Sequence, residues 1–229
     1  MIDPVLCELA YSWWCPPNGL ILDPFATGTV HGFVAAKMGR SYLGFGLSAK
    51  QVAEARQAAD HLLGNPGDPA DCDWVAGDIR DNGHAEAADF LFGEPPDDFA
   101  AKDYRDVIAR ASFLLAPDRF ACFVVGDLRD SQGFLRNLPG ETISAFIKAG
   151  LHYYDEAILA MSPGGAARSA PKVFERDRRL ATIHRRVLCF VKGDALAAAR
   201  AVGPVESAKP IEDEGEGEVE EEEVEDGEE

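Results

Sequence analysis

The chain has no apolar run long enough to span a bilayer, which excludes a helical membrane segment. Its first residues, Met1-Ile2-Asp3, hold no basic stretch followed by an apolar one, so no secretory leader is expected. Cysteine is sparse and odd in number: Cys7, Cys15, Cys72, Cys122 and Cys189. No two of them make a C-x-x-C pair, so neither a zinc site nor a disulfide framework is indicated. Cys122 and Cys189 sit in apolar, strand-like runs and read as buried thiols of a cytoplasmic protein. Positive charge is also scarce. Lys and Arg number 22 against 40 Asp and Glu, a formal net charge of −18. That balance is unusual for a nucleic-acid binder.

The excess acid is concentrated. Residues 212–229 hold 13 of the 40 acids and no base. The remainder has 27 acids against 22 bases, a net of −5. Only Val219 and Val224 offer large apolar groups there, so residues 204–229 are expected to be a disordered acidic tail. It is either a solubilising segment or a phosphate mimic that binds a basic partner and competes with nucleic acid. Ahead of it, at 46% hydrophobic content overall, the chain can bury one sizeable core in a domain spanning 1–203.

What is present begins at Leu20-Ile21-Leu22, an apolar run that ends in Asp23. Pro24, Phe25 and the small-residue turn Ala26-Thr27-Gly28-Thr29 follow. Then Val30, Phe33, Val34 and Met38 recur at helical spacing. This is strand, tight turn, helix start. In an α/β sheet that turn is where a ligand is expected. Asp-Pro-Phe-Ala-x-Gly-Thr resembles the S-adenosylmethionine-binding motif of the amino-group DNA methyltransferases, phage-like members included, which make N6-methyladenine or N4-methylcytosine. Thr27 stands where that family usually has a second glycine. The upstream Pro4-Val5-Leu6-x-x-Leu9 and Pro16-Pro17-x-Gly19 resemble the family's helix before the first strand, with Trp13 and Trp14 as core or lid aromatics. The resemblance implies S-adenosylmethionine as cofactor, held by Asp23, Phe25, Ala26, Gly28, Thr29, Ser48 and Asp78.

Two of these positions carry a second reading. Ser48 is placed to cap the helix that follows the second strand, and Asp78 to cap a loop. Gly46 stands where the family places the acid that accepts from the cofactor's ribose. Beyond the fourth strand, Ala88-Asp89-Phe90-Leu91-Phe92, lies Gly93-Glu94-Pro95-Pro96-Asp97. This is similar to the family's catalytic tetrapeptide, and the chemistry explains its residue types. An exocyclic amine is a poor nucleophile, because its lone pair is delocalised into the ring. A side-chain acceptor and the first proline's carbonyl bond its two hydrogens and return electron density to nitrogen. The base must be flipped out, with an aromatic stacked on it. Glu94 and the Pro95 carbonyl would supply the acceptors, with Pro96 helping to aim that carbonyl, and Phe99 the stacking, since Asp97 cannot.

Val125-Gly126-Asp127-x-Arg129 matches a segment of the family's phage and prophage-like members, either shaping the pocket or forming an ion pair. Two strands, Leu151–Met161 and Arg186–Lys192, are expected as an antiparallel hairpin. Between them a Gly- and Arg-rich loop, 162–185, holds Arg168, Lys172, Arg176, Arg178, Arg179 and Arg185. It reads as a footprint for DNA phosphates or a dock for the acidic tail. Thr182-x-His184-x-x-Val187-Leu188 resembles the family's lead-in to its last strand.

The expectation is a Rossmann-like α/β methyltransferase fold with a seven-stranded, mostly parallel sheet. Its activity would be methylation of an adenine or cytosine amino group in DNA. Gly46 and Asp97 also fit a catalytically inactive relative, a binding, regulatory or DNA-mimicking protein. Methylation of RNA or of a small molecule is a third reading.

Overall fold

The computed structural model describes residues 3–63, 71–81, 87–96 and 101–205. The expectations for Asp97, Phe99 and the acidic segment from 206 onward lie outside those residues. Among the described residues no helix is long and apolar enough to cross a membrane.

Asp3 caps the first helix, α1 (Pro4–Trp14), by accepting from the Val5 amide. The helix ends at Cys15, where Pro16 cannot continue it. Next come β1 (Leu20–Asp23), α2 (Val30–Lys37), β2 (Ser41–Gly46), α3 (Ala49–Leu63) and β3 (Cys72–Ala76). These are followed by β4 (Ala88–Gly93), α4 (Ala101–Leu114), β5 (Leu115–Val125) and α5 (Leu138–Lys148). The chain continues through β6 (His152–Ala160), α6 (Gly164–Asp177), β7 (His184–Lys192) and α7 (Ala195–Val202).

The sheet order is β3-β2-β1-β4-β5-β7-β6. The first five strands run parallel, and β7 lies antiparallel between β5 and β6. The expected Rossmann-like sheet with its C-terminal antiparallel hairpin is therefore present. Period-two alternation on β5 feeds two cores. Phe120, Cys122 and Val124 face the helix layer that holds Cys7 and Tyr11 of α1, Val34 of α2 and Ala198 of α7. Ala121, Phe123 and Val125 face Val107 and Ile108 of α4 and Phe146 of α5. Phe146 stacks on Phe190 at 4.1 Å and meets Phe123 edge-on at 4.8 Å. At the strands' starting ends, Asp89 accepts from the Leu20 amide and from Arg119, tying β1, β4 and β5 together.

One expected element differs. Residues 162–185 contain a 14-residue helix, α6, rather than a loop. Gly164, Gly165 and Pro171 punctuate the sequence as a loop would. Ala, Arg, Lys and Glu between and after them are good helix formers and carry the helix through Pro171, which forgoes one backbone hydrogen bond. Of the described α6 side chains only Ala170 and Val173 are half-buried. The strand β6 is likewise exposed along nearly its whole length.

Close packing of α2 on the sheet depends on a glycine. A Cβ on Gly32 would lie 2.3 Å from the Trp74 indole, which is fully buried and rigid. Gly32→Ala is therefore expected to cost about 1–3 kcal/mol through overpacking. Urea denaturation checks this; an unchanged midpoint would mean that the helix and the indole are not in contact.

Candidate functional site

The site is organised by Asp23, the last residue of β1, which is fully buried. A carboxylate there needs partners, because a lone buried charge is prohibitively costly. Three groups supply them. The Phe25 amide donates to Oδ1 at 2.8 Å, and Tyr42 Oη donates to Oδ2 at 2.8 Å. His31 Nδ1 lies 2.7 Å from Oδ2. Thus β1, β2 and α2 are fastened around the turn that joins strand to helix. Burial alone would lower the His31 pKa; the Asp23 charge and hydrogen bond outweigh it, with Cys7 adding to them, and raise it to about 9. Asp23 was expected to face the cofactor. It is instead spent on this internal network.

The turn above Asp23 is pinned at three further points. The Ala26 amide donates to Phe45 O at 2.9 Å, and Trp74 Nε1 donates to Gly28 O at 3.1 Å. The Phe25 ring is buried between Tyr104 and Phe123. Phe25 and Ala26, also expected to hold the cofactor, are thus core residues that shape the turn. Thr27, Gly28 and Val30 are accessible and line a cleft of about 730 Å³. Thr29 begins α2 without a side-chain cap. The first-turn amides of that helix are left for another acceptor. A Cβ on Gly28 would meet nothing within 4 Å, so that position opens onto space.

The cleft's opposite wall is Glu94-Pro95-Pro96 at the end of β4. Gly126, Asp127 and Leu128 after β5 close one side, and Met161, Thr182, His184 and Arg185 close the other. The fold thus brings the glycine turn and the Glu-Pro-Pro segment, about 66 residues apart, to one cavity. It also places there a cation that was assigned to the DNA-binding loop. Arg185 pairs with Glu94 Oε1 and donates to Val124 O at 3.3 Å. Burial pushes its pKa down, yet a guanidinium stays charged. No sequence signal links two residues 91 positions apart.

Of the remaining positions only Asp127 lines the cleft. Ser48 Oγ accepts from the Gln51 amide at 3.3 Å, capping α3 as its position suggests. Asp78 is gripped by Arg80, which also bonds Asp103. Hydrogen bonds from Arg80 hold the Asp78 carboxyl below its usual range. Asp127 accepts from the Leu138 amide and Arg129 donates to Gly133 O, so these two do not pair with each other. Leu47, which sequence reasoning passed over, stands 66% exposed just after β2. Arg168, Lys172 and Arg176 are exposed on α6. Arg176 and Arg179 bond Asp177, and Arg178 lies 5.2 Å over the Phe174 ring.

Gly46, where an acid was sought, is sterically closed. A Cβ there would lie 2.6 Å from Ala26 O and 2.9 Å from Val52 Cγ2.

No protein-family model matches this chain, and no curated protein matches it significantly. Solved structures do. The cyclase SpnF aligns with a TM-score of 0.61 at 17% identity, over 83% of this chain and 81% of its own. Magnesium protoporphyrin IX methyltransferase from Synechocystis PCC 6803, with bound SAH, gives 0.58 at 14%, over 83% and 81%. TrmN from Thermus thermophilus gives 0.56 at 17%, over 83% of this chain, which spans only 49% of TrmN's length. These likenesses establish the S-adenosylmethionine-dependent methyltransferase fold. A cyclase among them illustrates that the fold does not name the reaction.

Two outcomes are expected here. First, stability contributed by protonated His31 is complete below its ordinary pKa of about 6.5 and is lost as pH rises through about 9. Chemical denaturation between pH 6 and 10 reads this. The slope should vanish in His31→Asn, which itself costs about 3–5 kcal/mol by stranding Asp23. A slope unchanged in the variant would assign it elsewhere. Second, Gly46→Asp is expected to lower the melting temperature and not to improve ligand binding, because its Cβ displaces the turn.

Proposed function

We propose that this chain is an S-adenosylmethionine-dependent methyltransferase acting on an exocyclic amino group of adenine or cytosine in DNA. One observation carries the reading. Glu94-Pro95-Pro96 and the Thr27-Gly28 turn line the same cleft. Its volume falls within the roughly 300–1,000 Å³ usual for small-molecule and cofactor sites.

The residues present fit the cofactor. Thr27, Gly28 and the uncapped start of α2 would hold its methionine end through amides, with no Cβ at Gly28 to obstruct approach. Leu47 is an exposed apolar surface for a planar ring. A carboxylate for the ribose is missing at Gly46, so affinity rests on these amide and apolar contacts. When bound, S-adenosylmethionine supplies an electrophilic methyl group.

The chain's own residues prepare the acceptor. Glu94 Oε2 accepts one N–H of the target amine and the Pro95 carbonyl accepts the other, so the nitrogen lone pair is localised for attack. Pro96 fixes the backbone that aims that carbonyl. Arg185 on Oε1 orients Glu94, leaving Oε2 for the amine and, after transfer, for its proton. Pro95 is buried and Glu94 half-buried, which strengthens these hydrogen bonds. The α6 arm, with Arg168, Lys172, Arg176, Arg178 and Arg179, offers a cationic surface for DNA phosphates.

A second reading has its own support. Gly46 is closed by the backbone and Glu94 already has a cationic partner, an arrangement that also suits a non-catalytic relative. Calorimetric titration with S-adenosylmethionine and S-adenosylhomocysteine comes first. Micromolar binding is expected, abolished in Gly28→Leu while the fold survives, since that side chain projects only into open space. No binding to a folded chain overturns the enzyme reading. With binding in hand, Glu94→Ala should reduce DNA methylation by roughly 100-fold or more. Equal methylation in that variant removes Glu94 from the mechanism.

A further inference from the structure

Arg168, Lys172 and Arg176 follow one another at intervals of four, so they form one cationic stripe along α6. At about 1.5 Å of rise per residue the stripe runs about 12 Å. All three side chains are exposed, and Arg178 and Arg179 extend the charge past the helix end. A stripe of this kind attracts a polyanion. The same chain carries one: 13 acids without a base in residues 212–229.

We infer that the acidic segment 212–229 docks on the cationic face of α6 in its own chain and competes there with nucleic acid. The competition clause rests on the DNA reading above; the docking does not. Reach permits it. α7 ends at Val202, the described chain reaches Val205, and 24 residues follow. At about 3.3 Å per residue these can extend to about 80 Å. The strand β7, which separates α6 from α7, has nine residues and so covers only about 30 Å. Charge density matches as well. Within Glu220-Glu221-Glu222-Glu223 four consecutive acids meet a stripe of similar length. Covalent tethering supplies a high effective concentration, so weak individual ion pairs suffice.

Zero-length carbodiimide cross-linking of the full chain, read by peptide mass spectrometry, tests this. Lys172 is the single lysine between 162 and 185, so its amide with a carboxylate of 212–229 is an unambiguous signature. Lys209, adjacent in sequence, serves as the internal control. A Lys172 cross-link in the monomer is expected. Its yield should fall about tenfold or more in 0.5 M salt, where the Debye length shrinks to a few Å. A similar loss is expected in the Arg168→Glu/Arg176→Glu variant. Cross-links spread evenly over Lys37, Lys50 and Lys148, or a Lys172 cross-link confined to dimers, overturn docking in cis. Added duplex oligonucleotide should lower the Lys172 yield. An undiminished yield overturns the competition while leaving the docking intact.

Discussion

The buried carboxylate of Asp23 is the constraint on which the site depends. It lies at the end of β1, with no access to water and three donors around it. Each donor comes from a different element, so satisfying one charge fixes the relative placement of β1, the turn, β2 and α2. Removing any donor would leave an acceptor unpaid in a medium where unpaired polar groups are expensive. The turn inherits its shape from this requirement. Trp74 and Phe45 then hold its outer carbonyl and inner amide, and only Thr27, Gly28 and Val30 are left facing the cleft.

That same packing explains the missing acid at Gly46. Once Ala26 is hydrogen-bonded to Phe45, its carbonyl occupies the space a side chain at position 46 would need. A glycine there is a steric consequence of how tightly the turn lies on β2. The Arg185–Glu94 pair is a comparable trade. A half-buried glutamate needs a partner for its charge. Arg185 supplies that partner at Oε1.

Much of this was legible in the chain. The strand–turn–helix at Leu20–Lys37, the C-terminal antiparallel hairpin and the capping role of Ser48 follow from local rules of pattern and capping. The Glu-Pro-Pro segment and the glycine turn were found separately, and only topology put them on one cleft. What escaped was non-local or ambiguous. Asp23 looked like a ligand because strand-end acids often are. Its partners His31 and Tyr42 carry no mark in sequence that says which way they point. Arg185 sat among five other cations, and nothing local distinguishes the one that turns inward. The helix α6 was hidden by Gly164, Gly165 and Pro171, whose punctuation outweighed a run of good helix formers.

Net charge is a poor guide to what such a molecule attracts. At physiological ionic strength charges separated by more than about 8 Å are largely screened. A ligand at α6 therefore responds to Arg168, Lys172, Arg176, Arg178 and Arg179 rather than to the total of −18. Asp177 tempers that stripe by engaging Arg176 and Arg179, which leaves Arg168 and Lys172 as its more open end. The cleft follows the same logic at shorter range. Its one strong cation is cancelled by Glu94, so the cavity presents hydrogen-bond acceptors rather than a net positive field. This separation of a cationic arm from a charge-neutralised cleft is compatible with the proposed substrate, a polyanion carrying a reactive amine.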